Sequence, residues 1–353
     1  MCYFESMKVF TRNYRITGEY HPLWGEYFSG MEPCVLDIEA TGLDRSRCKA
    51  VLIGLLMRTD KGVTITQFLA ENHYEEDKVL EAAMDYLEMN NAGYIVTYNG
   101  YAYDVPFINA RLDANFTGRH LGMYQFDLYR FLCKCTDMRK RVDRMSQMCI
   151  EDHYGILSDR GDTITGRESV ALFDQYALTG NSTIEKIILT HNREDVLHLH
   201  RLMYLTLAEV PDIHQALAVY GLPAAGGRLS VRHTIKRAGH GRTADPVLRI
   251  TGEQIIDPVS CAYFPDGSSP VTAVFNSESR SFEIDVPVST HPESMFLDIS
   301  FLRDDEQIKG PEYHASVEAL MSDPDCVNGY LILNSRTMNL ITRFFAEKYY
   351  SGQ

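Results

Sequence analysis

The chain has 353 residues, which at roughly 150 residues per domain suggests about two domains. Hydrophobic residues make up 45% and charged residues 23%, a balance that excludes a mainly disordered chain, a collagen-like chain and a small disulfide scaffold. Acidic residues outnumber basic ones by 48 to 34, a net charge of −14, so a general nucleic-acid binder is not expected unless basic residues cluster locally or metal ions offset acidic ones.

Taken in chain order, residues 1–15 lack the apolar core of a signal peptide, and no run approaches the roughly 18 apolar residues of a membrane span. A cytoplasmic location without membrane association is expected. Residues 1–32 are rich in aromatics, among them Tyr14, Trp24, Tyr27 and Phe28, and should pack on the domain that follows. Cys34–Glu39, Ala50–Met57 and Val63–Phe68 read as three strands in hairpin-like succession. Tyr74–Met89 has helical spacing, with Val79, Leu80, Ala83, Met84 and Leu87 on one face. A short strand at Tyr94–Thr97 leads into the turn Asn99-Gly100, and helices are predicted at Pro106–Leu112, Phe126–Cys133, Ser169–Leu178 and Ile184–Leu207. The order predicts an α/β domain over residues 33–221, a mixed β-sheet flanked by helices. Leu222–Gly227 reads as a boundary. Beyond it, residues 222–353 alternate in short runs (Val271–Phe275, Ser281–Val286, Met295–Ile299) before a helix near Met338–Tyr349, a smaller β-rich α+β module. The eight cysteines are scattered. Cys133 and Cys135 with Cys149 do not make a paired zinc framework, and reduced thiols are expected.

Three features carry chemistry. Asp37 and Glu39 are two apart in an apolar strand and share a face, where like charges repel and call for a cation unless the strand is an edge facing water. Asp104 follows a strand and a turn and precedes a helix, where a capping role is the simple alternative. His191 and Asp195 are i and i+4 on a helix, as in many exposed ion pairs. Glu194 should point elsewhere into solvent, and His198 and His200 should serve surface or packing roles.

Together these features resemble the DEDD exonucleases of the ribonuclease H-like fold, over about residues 33–207. Asp37-Ile-Glu39-Ala-Thr-Gly42 looks like the first motif, Asn99-Gly-Tyr-Ala-Tyr-Asp104 like the second and His191-Asn-Arg-Glu-Asp195-Val like the third. With Ile164–Val170 and the helix bearing Tyr176, the chain is most similar to the YprB-like branch of predicted exonucleases. Two departures stand out. Ala40 replaces a usual Thr, and His191 lies four residues before Asp195 rather than five.

The resemblance implies a metal-dependent 3′–5′ exonuclease acting on single-stranded DNA or RNA with two divalent metal ions, Mg²⁺ or Mn²⁺. By the same resemblance Asp37, Glu39, Asp104 and Asp195 are the metal ligands. His191, titrating near neutrality, would orient or deprotonate the attacking water. The backbone at Thr41 and Gly42, the side chain of Leu43, and Asn99 would meet the substrate. Basic residues cluster at Arg139, Lys140, Arg141 and Arg144, and again at Arg228, Arg232, Lys236, Arg237 and Arg242 with His233 and His240; if 228–242 is helical, Arg228, Arg232 and Lys236 line one side. The rival readings are an inactive ribonuclease H-like module that binds nucleic acid or protein, and a two-metal enzyme acting on a smaller phosphoester. DNA versus RNA, the pathway and the oligomeric state stay open.

Overall fold

A computed structural model describes residues 7–16, 22–162, 164–238, 245–292, 294–303 and 311–351. The chain forms two compact units, Met1–Pro211 and Asp212–Gln353, dividing somewhat before the Leu222 boundary expected from composition.

The first unit is built in the order β1 (Lys8–Tyr14), α1 (Pro22–Phe28), β2 (Glu32–Ala40), β3 (Ala50–Thr59), β4 (Gly62–Leu69), α2 (Glu76–Met89), β5 (Ala92–Thr97), α3 (Asp104–Ala114), β6 (Tyr124–Asp127), α4 (Leu128–Cys135), α5 (Gln147–His153), α6 (Gly166–Thr179) and α7 (Ser182–Ala208). Its six strands lie in the order β1-β4-β3-β2-β5-β6. Pairing is antiparallel from β1 through β2 and parallel from β2 through β6, so the sheet is mixed, as expected. β2 and β3 are near-continuous apolar runs because both faces of the central strands are covered.

β2 is therefore not an edge strand, and the alternative that Asp37 and Glu39 face open water fails. The aromatic N-terminal residues do pack on the sheet. Trp24 stacks on Phe28 at 4.0 Å and donates to the Tyr94 hydroxyl at 2.9 Å, while β1 extends the sheet beside β4. Lys8 of β1 also donates to Glu185 on α7 at 2.6 Å, and Tyr176 of α6 donates to the same carboxylate at 2.9 Å.

Helix ends follow local chemistry. α6 opens with a capping box between Thr165 and Glu168 and closes on Gly180 at φ 61°, and Asn181 then caps α7 through the Thr183 N–H. Two sequence boundaries move. Phe126 and Asp127 complete β6 rather than opening the following helix, and α3 begins at Asp104 itself.

The second unit contains α8 (Ile213–Tyr220), β7 (Leu222–Ala224), β8 (Leu229–Ala238), β9 (Asp245–Gln254), β10 (Cys261–Tyr263), β11 (Thr272–Asn276), β12 (Ser281–Pro287), β13 (Ser289–His291), β14 (Ser294–Asp298), α9 (Pro311–Met321), β15 (Cys326–Val327), β16 (Tyr330–Ile332) and α10 (Ser335–Ser351). Two antiparallel sheets, β10-β11-β12-β9-β8-β7 and β13-β14-β16-β15, make it β-rich.

The segment 228–238 is not helical. It forms β8, paired along its length with β9. Val231 is buried while Arg232 and Lys236 are exposed, the period of two of a strand with one covered face. Arg228 precedes the strand and pairs with Asp257 at 3.1 Å. Arg232 Nε donates to the Tyr220 carbonyl at 3.1 Å. His240 and Arg242 lie outside the described residues. Among the described residues no helix is long and apolar enough to cross a membrane.

Candidate active site

Three elements converge on the face of the sheet that carries Asp37 and Glu39. β2 supplies these two acids. α3 supplies Asp104, whose Oδ1 accepts the Ile38 N–H at 3.3 Å. The first residue of a helix is thereby tied to β2, which replaces the capping role expected as the simple alternative. α7 crosses the same face. Its Asn192 donates through Nδ2 to Asp37 Oδ2 at 2.9 Å and to the Asp37 carbonyl at 3.2 Å.

One missing side chain makes that approach possible. Gly54 is the cross-strand partner of Asp37, and a Cβ there would sit 2.1 Å from Asn192 Oδ1. Gln67 of β4 fixes the same amide by donating to Asn192 Oδ1 at 2.8 Å. Gly54→Ala is expected to push Asn192 off Asp37 and to destabilise the unit by about 1–3 kcal/mol, the usual cost of overpacking. Urea unfolding of the variant checks this; a midpoint equal to that of the wild type would mean that α7 is not seated on β3 as described.

His191 and Asp195 are not an exposed pair. His191 is 5% exposed, and its Nε2 lies 3.7 Å from Glu39 Oε1 and 3.6 Å from Asp195 Oδ2. Glu39, His191 and Asp195 each offer a ligand atom within 4.8 Å of the others. The other ring nitrogen, Nδ1, lies 2.6 Å from Asp162 Oδ2. Arg160 then ties the group together. It donates to Asp162 Oδ1 at 2.8 Å, to Asp195 Oδ1 at 2.6 Å and to Glu151 Oε1 at 3.0 Å, with its guanidinium almost completely buried. Asp195 thus has one oxygen held by a guanidinium and the other turned toward His191. Glu194, expected in solvent, is buried; it pairs with Arg193 at 2.9 Å and lies 3.7 Å from His198.

The electrostatics are those of a buried acid cluster that His191 and Arg160 neutralise only in part. Burial, then the charges of Asp195, Asp104 and Glu39, hold the Asp37 carboxyl well above the usual range. Burial pushes Glu39 up to about 7 against the pull of His191, and burial with Asp127 and Asp195 nearby pushes Asp104 up to about 7. Asp195 is raised as well, burial outweighing His191 and Arg160.

Among the described residues no Lys or Arg pairs with Asp37, Glu39 or Asp104. Buried Glu76 shows the contrast, since Arg111 clamps both its oxygens at 2.8 and 2.7 Å. The three hard oxygen donors Asp37, Glu39 and Asp104, beside a fourth acid that Arg160 holds by one oxygen only, fit divalent ions of the Mg²⁺ or Mn²⁺ type. His191 departs from the near-neutral titration expected. Burial works against its imidazolium, but Asp162, Asp195 and Glu39 outweigh it and raise the ring to about 9.

The residues expected to meet substrate fall in different places. Leu43 is 83% exposed in the loop after β2. The Thr41 N–H is given to the Lys49 carbonyl at 2.9 Å, and the Gly42 carbonyl accepts the Tyr103 hydroxyl at 3.1 Å, so these two backbone groups are already engaged. Asn99 is exposed at φ 65°, with its N–H donated to Asp127. Arg228, Arg232 and Lys236 belong to the second unit. Cys133, Cys135 and Cys149 are not joined in disulfides.

Sequence reasoning missed Asn192, Arg160, Asp162, Glu151 and Asp127. Asn192 had a signal, since on a helix it directly follows His191. Asp162 and Arg160 lie in a loop whose spacing carries none.

A mixed sheet with acids on its central strand, at the start of the helix after the adjacent parallel strand, and on a long final helix defines the ribonuclease H-like fold, and the first unit has it. Residues 34–207 match the sequence model of the RNase_H superfamily. No curated protein matches the chain by sequence. Among solved structures the chain is similar to the family B DNA polymerase from the hyperthermophilic archaeon Pyrobaculum calidifontis, at 14% identity and a TM-score of 0.40 over 98% of this chain; it spans 50% of that polymerase.

Proposed function

We propose that the first unit hydrolyses phosphodiester bonds of single-stranded DNA or RNA from the 3′ end, as a DEDD-type exonuclease most similar to the YprB-like branch. The observation that carries this reading is the meeting of Asp37, Glu39, Asp104 and Asp195 beside His191, four acids that burial raises although Arg160 and His191 offset part of their charge. Asp37, Glu39, Asp104 and Asp195 would hold two divalent ions. When bound, these ions supply an activated water and neutralise charge on the scissile phosphate.

This chain's residues do the rest. Asp162 takes His191 Nδ1 and so leaves Nε2 facing Glu39 and Asp195, where the charged ring can donate to and orient the attacking water. Arg160 holds Asp195 Oδ1 and leaves Oδ2 for the site. Asn192 fixes Asp37 through a neutral donor and adds no charge to the cluster. We read a cytoplasmic protein in which Asp212–Gln353 is a separate module, with Arg228, Arg232 and Lys236 there as proposed nucleic-acid contacts.

The test is incubation of 5′-labelled single-stranded DNA and RNA with the chain in Mn²⁺. A ladder of shortened products is expected, with His191→Ala slower by about a hundredfold or more. Uncut strands of both kinds, with the protein folded and metal present, would remove the exonuclease reading and leave a non-cutting binding module. Cleavage confined to a mononucleotide ester would assign a small phosphoester instead.

A further inference from the structure

Beside the acid cluster lies an aromatic and cationic surface that the proposed chemistry does not use. The Tyr101 ring is 45% exposed, and the Arg130 guanidinium stacks over it, 3.6 Å from the ring centroid. Among the described residues no carboxylate lies within ion-pair distance of the Arg130 guanidinium, so its donors are not consumed by an acid.

One buried group sets this pair in place. The Asp127 carboxylate accepts the N–H of Asn99 at 3.0 Å, of Tyr101 at 2.9 Å and of Arg130 at 3.1 Å. The turn carrying Tyr101 and the helix start carrying Arg130 are thereby locked to the same anchor. Tyr101 is three residues before Asp104, so its Cα lies within about 11 Å of that of the site acid.

A second feature meets the same end of β5. The Tyr98 hydroxyl donates to the Met145 carbonyl at 2.7 Å, which brings Met145, the neighbour of Arg144, to the end of β5. Arg139, Lys140 and Arg144 are exposed, while Arg141 is engaged by Asp137 at 2.8 Å and by Glu209 at 3.5 Å. In a chain of net charge −14, local cations flanking a rigid exposed ring are what binding of a single strand requires: a π-face for a base and positive charge for the phosphates.

We propose that Tyr101 with Arg130, continued by Arg139, Lys140 and Arg144, forms a sequence-independent track for the single strand leading to the acid cluster. The base stacks on the Tyr101–Arg130 step, and the exposed cations take backbone phosphates. This inference rests on the exonuclease reading for the identity of the strand, but its test does not need cleavage.

The experiment is fluorescence anisotropy of fluorescein-labelled oligo-dT and oligo-U of about twelve nucleotides, within the usual site-size range, titrated with the full chain in Ca²⁺ at several salt concentrations. Tyr101→Ala is expected to weaken binding about tenfold, and Tyr101→Phe to restore it, since the stack needs the ring and not the hydroxyl. The double substitution Arg139→Gln/Arg144→Gln is expected to lower the slope of log K against log salt by about 1.4, two single-strand phosphates at about 0.7 each. Thermal midpoints near that of the wild type establish that the variants fold. Wild-type affinity in Tyr101→Ala together with an unchanged salt slope in the double variant would overturn the track. So would failure of the wild-type chain to bind either oligomer. A chain that binds through these residues but leaves every strand uncut in Mn²⁺ would keep the track and overturn the exonuclease reading.

Discussion

Asp37→Asn is expected to abolish strand shortening while making the metal-free protein more stable. Among the described residues no Lys or Arg pairs with Asp37. Its carboxylate accepts from the neutral Asn192, and burial, then Asp195, Asp104 and Glu39, raise it. An amide keeps the shape and can still accept from Asn192 Nδ2, so packing survives. What is lost is one anionic oxygen ligand at the centre of the set. Charge stabilisation of several kcal/mol at a phosphoryl centre corresponds to a rate loss of about a thousandfold or more. What is gained is relief of repulsion among buried acids, read as a thermal midpoint several degrees higher in EDTA. Retained cleavage would dismiss the metal-ligand role. A lowered midpoint in EDTA would mean that the cluster is not a source of strain.

The metal-free protein is also expected to lose stability as pH rises from 5.5 to 8.5 and to regain it on adding Mn²⁺. The sign follows from the direction of the shifts. Glu39 and Asp104 sit at about 7 in the folded protein, above their ordinary carboxylate values, so between about pH 4 and 7 the folded state holds protons that the unfolded chain has released. Stability must fall as pH climbs through that window. His191, raised to about 9, acts in the same direction, since the stability its proton contributes is present below its unfolded value of about 6.5 and lost as pH passes 9.

Asp162 and Glu151 are lowered by their His and Arg partners, which outweigh burial; their contribution fades only in acid, below the range measured. Divalent ions compete with the protons on Glu39 and Asp104, so Mn²⁺ should stabilise more at pH 8.5 than at pH 5.5. At a hundredfold excess over Kd the gain is about 2.7 kcal/mol, which for a unit of this size raises the midpoint by about 5–10 °C. Differential scanning fluorimetry across pH, with and without Mn²⁺, reads both effects. A flat pH profile, or a Mn²⁺ effect that is larger in acid, would contradict the account of the cluster.

Much of the first unit was legible because its signals are local. Strand β2 with Asp37 and Glu39 two apart, the helical spacing of α2, and His191 and Asp195 one turn apart on α7 are each set by a short-range period of 2 or 3.6 residues. The same locality explains the errors. A basic run such as 228–238 fits a helix and a strand equally well when only charge spacing is considered, and its pairing with β9 decided for the strand. Glu194 was assigned to solvent from helix position alone, but α7 is covered on more than one side, and His198 and Arg193 meet it there.

What the sequence determined by itself is the identity and order of the acids and the elements that bear them, because alternation and helical periodicity reside in neighbouring residues. What only the tertiary structure decided is their electrostatic state and their supports. The Asp162–His191 contact joins a loop to a helix 29 positions further on, and Asn192 reaches Asp37 across 155 positions through the gap left by Gly54. Burial, like-charge proximity and the room made by an absent Cβ depend on which distant segments meet, and no short-range period in the chain encodes that meeting.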